Sequence, residues 1–397
     1  MADGHMRDVA IVGAGMTRFG KFLERSSKDL GQEAVQNALD DAGLQKKDIE
    51  AAIVGNAVGG LMTGQEMVRG QAILRPWGMG DIPIINTENA CASSSTAFHL
   101  AWLYVASGMH DCVLALGVEK LYDEDKAKSF QAIGTAVDMD IDAEGDEGAG
   151  ETRTRFMDFY ADAAKAHIEK YGTTVQQIAK VASKNHTNGS LNPYAQFRKP
   201  FTVEDVLQAR MVADPLTLYM CSGIGDGGAA TILCSPEKAK QLSSDPIWVR
   251  SSAISSGHDR DGGEAPIAER TSKRAYEAAG ISPSDVDVVE LHDAAAPAEI
   301  SLVEELGFCG YGEGGPLAES GATQIDGNIS VNPSGGLMAR GHPIGATGIG
   351  QLVEITWQLR GQAGDRQVKD AKVGLTHNAG GEIRGEAAVN TVHVLTR

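Results

Sequence analysis

No two cysteines in this chain stand close enough to form a Cys-x-x-Cys pair. The five that occur, Cys91, Cys112, Cys221, Cys234 and Cys309, are scattered and odd in number. That leaves neither a disulfide framework nor a zinc knuckle and suits a reducing compartment. Long apolar runs are missing as well: no window approaches the roughly 18 uninterrupted apolar residues of a membrane span. Met1 to Arg7 lacks the charged-then-apolar order of a signal peptide, and Val394-Leu395-Thr396-Arg397 is not a Ser-Lys-Leu address. A cytoplasmic protein without membrane contact is expected. Net positive charge is also absent. A formal charge of -18 argues against a general nucleic-acid surface, which needs clustered Lys and Arg to displace counterions. There is no His-Glu-x-x-His pattern or other closely spaced ligand set, so no metal is expected.

What is present suits small-molecule chemistry. The chain has 397 residues, 42% of them hydrophobic, enough to fill large cores over about two or three domains. Short apolar strands alternate with longer amphipathic segments, which favours mixed or parallel sheets covered by helices.

The two halves echo one another. Asp8 to Val12 reads as a buried strand, a helical stretch from Leu30 ends at Ala42-Gly43-Leu44, and Asp48-Ile49 leads into Ala51 to Val54. Later, Trp248 to Ile254 reads as a strand, the helix from Thr271 ends at Ala279-Gly280-Ile281, and Asp285-Val286 leads into Val288 to Leu291. Gly43 precedes Asp48 by the spacing that separates Gly280 from Asp285. Two α/β halves of one topology follow. Between them an inserted region over the first half runs from Asp123 to about Pro215: an acidic, Gly-rich opening at Asp138 to Glu151, helices over Phe156 to Lys170 and Val175 to Lys184, and a loop over Asn188 to Pro200.

Chemistry concentrates in four clusters. Cys91 lies in Asn89-Ala90-Cys91-Ala92-Ser93-Ser94-Ser95-Thr96, between the strand-like Ile82 to Ile85 and the helix-like Ala97 to Ala106. A thiol at a helix start meets unpaired N–H groups and the positive dipole end, which favour thiolate. Gly341-His342-Pro343 precedes the apolar helix Ile349 to Leu359, and Pro343 holds His342 as a positioned base. His292-Asp293 follows a buried strand and reads equally as a structural pair or a catalytic one. Thr376-His377-Asn378-Ala379-Gly380-Gly381, after the strand Lys372 to Leu375, reads either as a plain turn or as an oxyanion site of backbone donors. Val12-Gly13-Ala14-Gly15 opens like a dinucleotide fingerprint, but Arg18 stands where its third glycine should be, so nicotinamide is not expected.

In this order the Cys91 turn, His292-Asp293, Gly341-His342-Pro343 and His377-Asn378-Ala379-Gly380 resemble the thiolase superfamily, in particular its sterol-carrier-protein type without an attached lipid-transfer domain. The resemblance covers residues 7 to 397, through supporting stretches such as Lys184-Asn185-His186, Asn192-Pro193-Tyr194 and Trp357-Gln358-Leu359-Arg360-Gly361. It implies an α/β thiolase fold with two homologous halves in a five-layered α/β/α/β/α arrangement: residues 7–122 and 216–245, a loop domain over 123–215, and residues 246–397. It implies acyl-CoA substrates, with the CoA thioester as substrate and no resident cofactor, and a homodimer or homotetramer. Some relatives act beside a small zinc-containing CoA-binding protein.

Residue by residue, the resemblance makes Cys91 the acyl-accepting nucleophile, His342 its base, and His292 a side chain of one oxyanion site. The N–H groups of Cys91 and Gly380 would hold the acyl-enzyme oxygen, and Asn378 and Asp293 join Gly380 among the oxyanion and substrate contacts. The chain departs from the pattern at the second cysteine, which thiolases place either after the His-Asp pair or in the C-terminal Gly-rich turn. Those positions hold Ala294 and Asn378, neither an acid or base near neutral pH. Three functions follow: an acyltransferase working through Cys91, with the acceptor carbon activated by His292, Asp293 or His377 or by the acceptor's own chemistry; a thiolase-fold aldolase performing retro-aldol cleavage of a side-chain acyl-CoA; or a non-catalytic CoA-binding subunit.

Overall fold

The computed structural model describes residues 6–141, 153–242, 245–260 and 263–397. Its strands are β1 (Ala10–Met16), β2 (Ala51–Gly55), β3 (Ile84–Thr87), β4 (Cys112–Glu119), β5 (Met211–Ala213), β6 (Leu216–Thr217), β7 (Gly227–Cys234), β8 (Ile247–Ser256), β9 (Val288–Glu290), β10 (Ser330–Val331), β11 (Val373–Ile383) and β12 (Glu386–Thr396). Ten of them share one sheet in the order β10-β9-β11-β12-β8-β1-β7-β4-β2-β3, and β5 and β6 pair separately.

That order is a repeat. In the first half β2 lies parallel to β3 and β4, while β7 runs antiparallel to both β4 and β1. In the second half β9 lies parallel to β10 and β11, while β12 runs antiparallel to both β11 and β8. The halves join through a short antiparallel contact, Ala10 with Trp248 and Ile11 with Ile247. The echo extends to single hydrogen bonds. Helices Ser27–Ala42 and Ile267–Ala279 end on left-handed Gly43 and Gly280, each at φ 67°, as a Cβ-free C-cap permits. In the 3-10 turn that follows each, Asp48 or Asp285 closes a capping box with Gln45 or Ser282.

Side-chain alternation along the strands separates the layers. Ala10, Val12, Ala52, Val54, Leu114 and Leu116 face the outer helix Ser27–Ala42. Their neighbours Ile11, Ile53, Val113 and Ala115 face inward, onto Phe98, Ala101 and Val105 of helix Ser93–Ala106 and Ile349, Leu352 and Val353 of helix Thr347–Arg360. Val289, Leu291, Leu375, Val392 and Val394 pack on the outer helices of the second half through Tyr276 and Val303. Outer helices, the first half of the sheet, the paired central helices, the second half of the sheet and its outer helices make five layers. Gly13 and Gly15 belong to this packing: a Cβ on either would lie 2.3 or 2.4 Å from the backbone of Ala38. Both are inside β1, so the Gly-x-Gly motif serves helix-to-strand approach.

Three expectations are corrected. The helix from Val175 continues to Leu191 instead of giving way to loop at Asn188, because Asn188 is buried and donates to the carbonyl of Asn332. Thr376–Gly381 is not a turn after a strand; it lies within β11, paired with β12 from His377 opposite Val392 to Gly380 opposite Val389. The inserted region is not confined to the first half: its apolar cluster, with Ala161, Ile178, Val181 and Leu216, includes Ala295, Ile300 and Met338. Most of the acidic run Asp138 to Glu151 lies outside the described residues. No helix among the described residues is long and apolar enough to cross a membrane.

Candidate active site

The chemistry-bearing residues stand at the carboxyl ends of the parallel strands, where open α/β sheets hold their ligands. Asn56 follows β2, the Cys91 turn follows β3, and Glu119 ends β4; His292 follows β9, and His377 and Asn378 lie within β11. The repeat brings the two sets of strand ends together. One atom each of Cys91, His292 and His342 fall within 4.8 Å of one another, and the two imidazoles meet edge to face at 5.1 Å between centroids. All three line a cavity of about 600 Å³.

Each residue of the Ser-rich run has a structural task. Cys91 occupies the 3-10 turn Ala90–Ala92 leading into helix Ser93–Ala106, with Ala90 held at φ 47°. Ser93 accepts from the N–H of Asn89 and donates to the carbonyl of Ala90, and Asn89 donates to Thr96. Ser94 accepts from the N–H of Ile349, tying the two central helices together. Ser95 donates to Oδ1 of Asn378. Gly380 closes against this turn, where a Cβ would fall 2.1 Å from the carbonyl oxygen of Asn89.

The resting thiol differs from the expectation of a thiolate. Cys91 is half-buried and opens onto the cavity, with protein crowding its other sides. Desolvation, reinforced by the nearby charge of Glu119, pushes its thiol up to about 12, while the N–H groups of Cys91 itself and Gly381 pull the other way. Burial outweighs the helix start here. Gly381 follows Gly380 in β11, and its N–H acts on the sulfur. Glu119 carries no signal in the sequence. Buried at the end of an apolar strand, it accepts from the N–H groups of Ala57 and Gly345 and from Asn56, and desolvation raises its carboxyl to about 7.

Both histidines are held in defined tautomers. His342 Nδ1 lies 2.7 Å from Oγ1 of Thr347, whose own hydrogen goes to the carbonyl of Pro343. Nδ1 is therefore the donor, and Nε2 keeps a free lone pair. Burial first, then the neighbouring His292 and Arg340, holds His342 well below the ordinary histidine range, so it rests as neutral imidazole. His292 accepts at Nδ1 from the side-chain amide of Asn378 at 3.0 Å, which places its hydrogen on Nε2. Burial lowers it to about 3.

Asn378 and Asp293 stand behind the cavity wall. Asp293 accepts from the N–H of Leu337 and from Asn185, and burial raises its carboxyl well above the usual carboxylate range. Through Leu337 it holds the short helix Gly336–Ala339 that precedes His342. His377 does line the cavity, with Nε2 bonded to Asn390. The apolar wall comes from the inserted region, through Phe130, Phe156, Phe159 and Tyr160. Lys21, Lys126 and Arg210 line the cavity as well. Among the described residues none of these three cations is ion-paired.

Comparison with known proteins agrees with this architecture. Residues 9–237 match the family model described as "Thiolase, N-terminal domain", and residues 251–396 match "Thiolase C-terminal domain-like". The chain is 45% identical over 397 residues to the acetyl-CoA acetyltransferase of Methanothermobacter thermautotrophicus, covering 99% of this chain and 100% of that protein. It is 38% identical to sterol carrier protein 2 of Bos taurus, over 94% of this chain and 70% of that one. The solved structure of an "Ltp2-ChsH2(DUF35) aldolase" superposes with a TM-score of 0.80 over 99% of both chains at 23% identity, a likeness of fold. Human mitochondrial 3-ketoacyl-CoA thiolase superposes with a TM-score of 0.73 over 98% of this chain and 99% of its own, at 16% identity. With both family models matched in order and a relative at this identity along its whole length, the chain belongs to the thiolase family.

Proposed function

We propose that this thiolase-type acyltransferase works through an acyl-enzyme on Cys91. Its substrate is an acyl-CoA. As Sγ attacks the thioester carbonyl, its proton passes to Nε2 of His342, and the N–H groups of Cys91 and Gly380 receive the developing oxyanion. Collapse expels CoA as its thiol, taking the proton from His342, and leaves the acyl group on sulfur. His292 presents its Nε2–H as a donor to the second carbonyl, and the acyl group passes to a carbon acceptor or back to CoA. With Asp293 behind the wall, a proton at the acceptor carbon is handled by His377, or by His292 once a flip of the Asn378 amide moves its hydrogen to Nδ1 and frees the Nε2 lone pair. Lys21, Lys126 and Arg210 supply cations for the CoA phosphates despite the acidic total charge.

The observation that carries this reading is the convergence of Cys91, His292 and His342 within 4.8 Å on the cavity wall. The test is intact-protein mass spectrometry after mixing with short, branched and steroid-type acyl-CoAs. A mass increase equal to one acyl group, absent from Cys91→Ala, is the expected result. No increase with any member of the panel would sink the reading.

The absence of a second cysteine at Ala294 and Asn378 favours one alternative, retro-aldol cleavage of a side-chain acyl-CoA, which needs an oxyanion site and a base but no acyl-enzyme. Full turnover by Cys91→Ala would select it. The proposal also takes in a homodimer or homotetramer in the cytoplasm, and a small CoA-binding partner comparable to the DUF35 protein of the Ltp2-ChsH2 aldolase. Light scattering of the purified chain, and its turnover with and without such a partner, test these parts.

A further inference from the structure

We propose that Cys91, His292 and His342 also form a binding site for a soft divalent cation such as Zn²⁺, which blocks the enzyme reversibly by occupying its nucleophile. Sequence spacing gave no sign of a metal set, because the three residues come from three separate segments. The fold supplies one thiol and two imidazoles, a donor set that suits zinc and cobalt and not magnesium or calcium. Tetrahedral zinc requires its sulfur and nitrogen ligands to lie about 3.4 to 3.6 Å apart. The trio, all within 4.8 Å, reaches that spacing by small side-chain rotations. The fourth position faces the cavity and takes water.

The surrounding hydrogen bonds suit the role. A metal-bound histidine normally donates its other ring N–H to a fixed acceptor. His342 already does so, from Nδ1 to Thr347. His292 does so after one rearrangement. Asn378 now gives its N–H to His292 and takes a hydrogen from Ser95. Ser95 also lies 3.1 Å from the carbonyl of Ala92. If Ser95 donates there, its oxygen can accept from a flipped Asn378 amide, whose Oδ1 then accepts Nδ1–H of His292. Every group remains paired, and Nε2 of His292 becomes a lone pair. One amide flip thus separates an oxyanion donor from a metal ligand. On binding, the S–H bond of Cys91 breaks, its proton goes to solvent, and the sulfur–metal bond forms.

The test is titration of the purified protein with Co²⁺ in the absence of acyl-CoA, so that it stands independently of the acyl-enzyme reading. One Co²⁺ per chain is expected, with intense visible bands of tetrahedral cobalt and an ultraviolet thiolate-to-cobalt band. Cys91→Ser, nearly isosteric, should lose the thiolate band, and Zn²⁺ should displace the cobalt. Asn378→Asp, whose carboxylate can only accept from His292, should bind about tenfold more tightly, at the lower end of the usual outer-shell effect. Cobalt should also slow alkylation of Cys91 by iodoacetamide, and a chelator should restore it. Octahedral cobalt spectra, a thiolate band surviving in Cys91→Ser, or weaker binding by Asn378→Asp would each overturn the proposal.

Discussion

Asn378 gives its amide N–H to Nδ1 of His292 across 3.0 Å. The residue stands at one of the two places where the sequence resemblance implies a second cysteine, yet it does not face the cavity. It acts through His292, fixing which ring nitrogen bears the hydrogen, and Ser95 from the Cys91 helix fixes Asn378 in turn. Helix Ser93–Ala106, which starts beside Cys91, therefore orients the imidazole of His292. This ties the two halves of the fold into one chemical unit.

Reversing that hydrogen bond should cost catalysis without disturbing the nucleophile. In Asn378→Asp the carboxylate accepts Nδ1–H and leaves His292 without a donor toward substrate. The expected result is a fall in kcat of about a hundredfold, the scale for removing one oxyanion donor. The rate of acyl-enzyme formation, followed by rapid-quench mass spectrometry, should change far less. An equal fall in both would place His292 in the acylation step instead.

Thr347 gives a second test of tautomer control. Thr347→Val keeps the shape but removes the acceptor for Nδ1–H of His342, so the ring can hold its hydrogen on Nε2 and lose its function as base. Acylation of Cys91 should slow by roughly 10- to 100-fold, at the lower end of the range for general acid–base groups. Thr347→Ser, which keeps the hydroxyl, should restore most of the rate. No difference between the two variants would remove tautomer selection from the mechanism.

Much of this is legible in the sequence. The Gly43 and Gly280 echo marks the duplicated halves because each glycine ends a helix in a left-handed conformation. The Cys91 turn and Gly-His-Pro stand out because strand-to-helix turns carry local signals. Glu119 and Thr347 do not, since their significance lies in partners far along the chain, such as Gly345, or in one hydrogen bond around a ring. The charge state of Cys91 escapes the sequence for the same reason: a helix start is local, whereas desolvation and the charge of Glu119 depend on the assembled core. Asp293 stands beside His292 in sequence, but its carboxyl turns to Leu337 and Asn185.

The raised thiol predicts how the resting enzyme meets an alkylating agent. With the Cys91 thiol pushed up to about 12, the thiolate fraction rises with pH throughout the range in which the protein is handled. The rate of modification by iodoacetamide should climb by about tenfold per pH unit from pH 7 to 10. Peptide mapping assigns the product to Cys91. A plateau beginning near neutral pH would instead reveal a resting thiolate paired with a charged imidazole.

The last prediction concerns the acceptor carbon. Ala294 lines the cavity beside His292, at the other place where the sequence resemblance implies a second cysteine. Ala294→Cys therefore places a thiol where a proton at the α-carbon can be exchanged. In deuterated water the variant should incorporate deuterium at the α-carbon of a bound acyl-CoA faster than the natural chain, as read by mass spectrometry of the recovered thioester. Its rate of acylation at Cys91 should be unchanged, because Ala294 makes no contact required for that step. If exchange in the natural chain is already as fast, His292 or His377 moves that proton unaided; His377→Phe then tells them apart, since only a His377 role predicts that exchange stops while acylation continues.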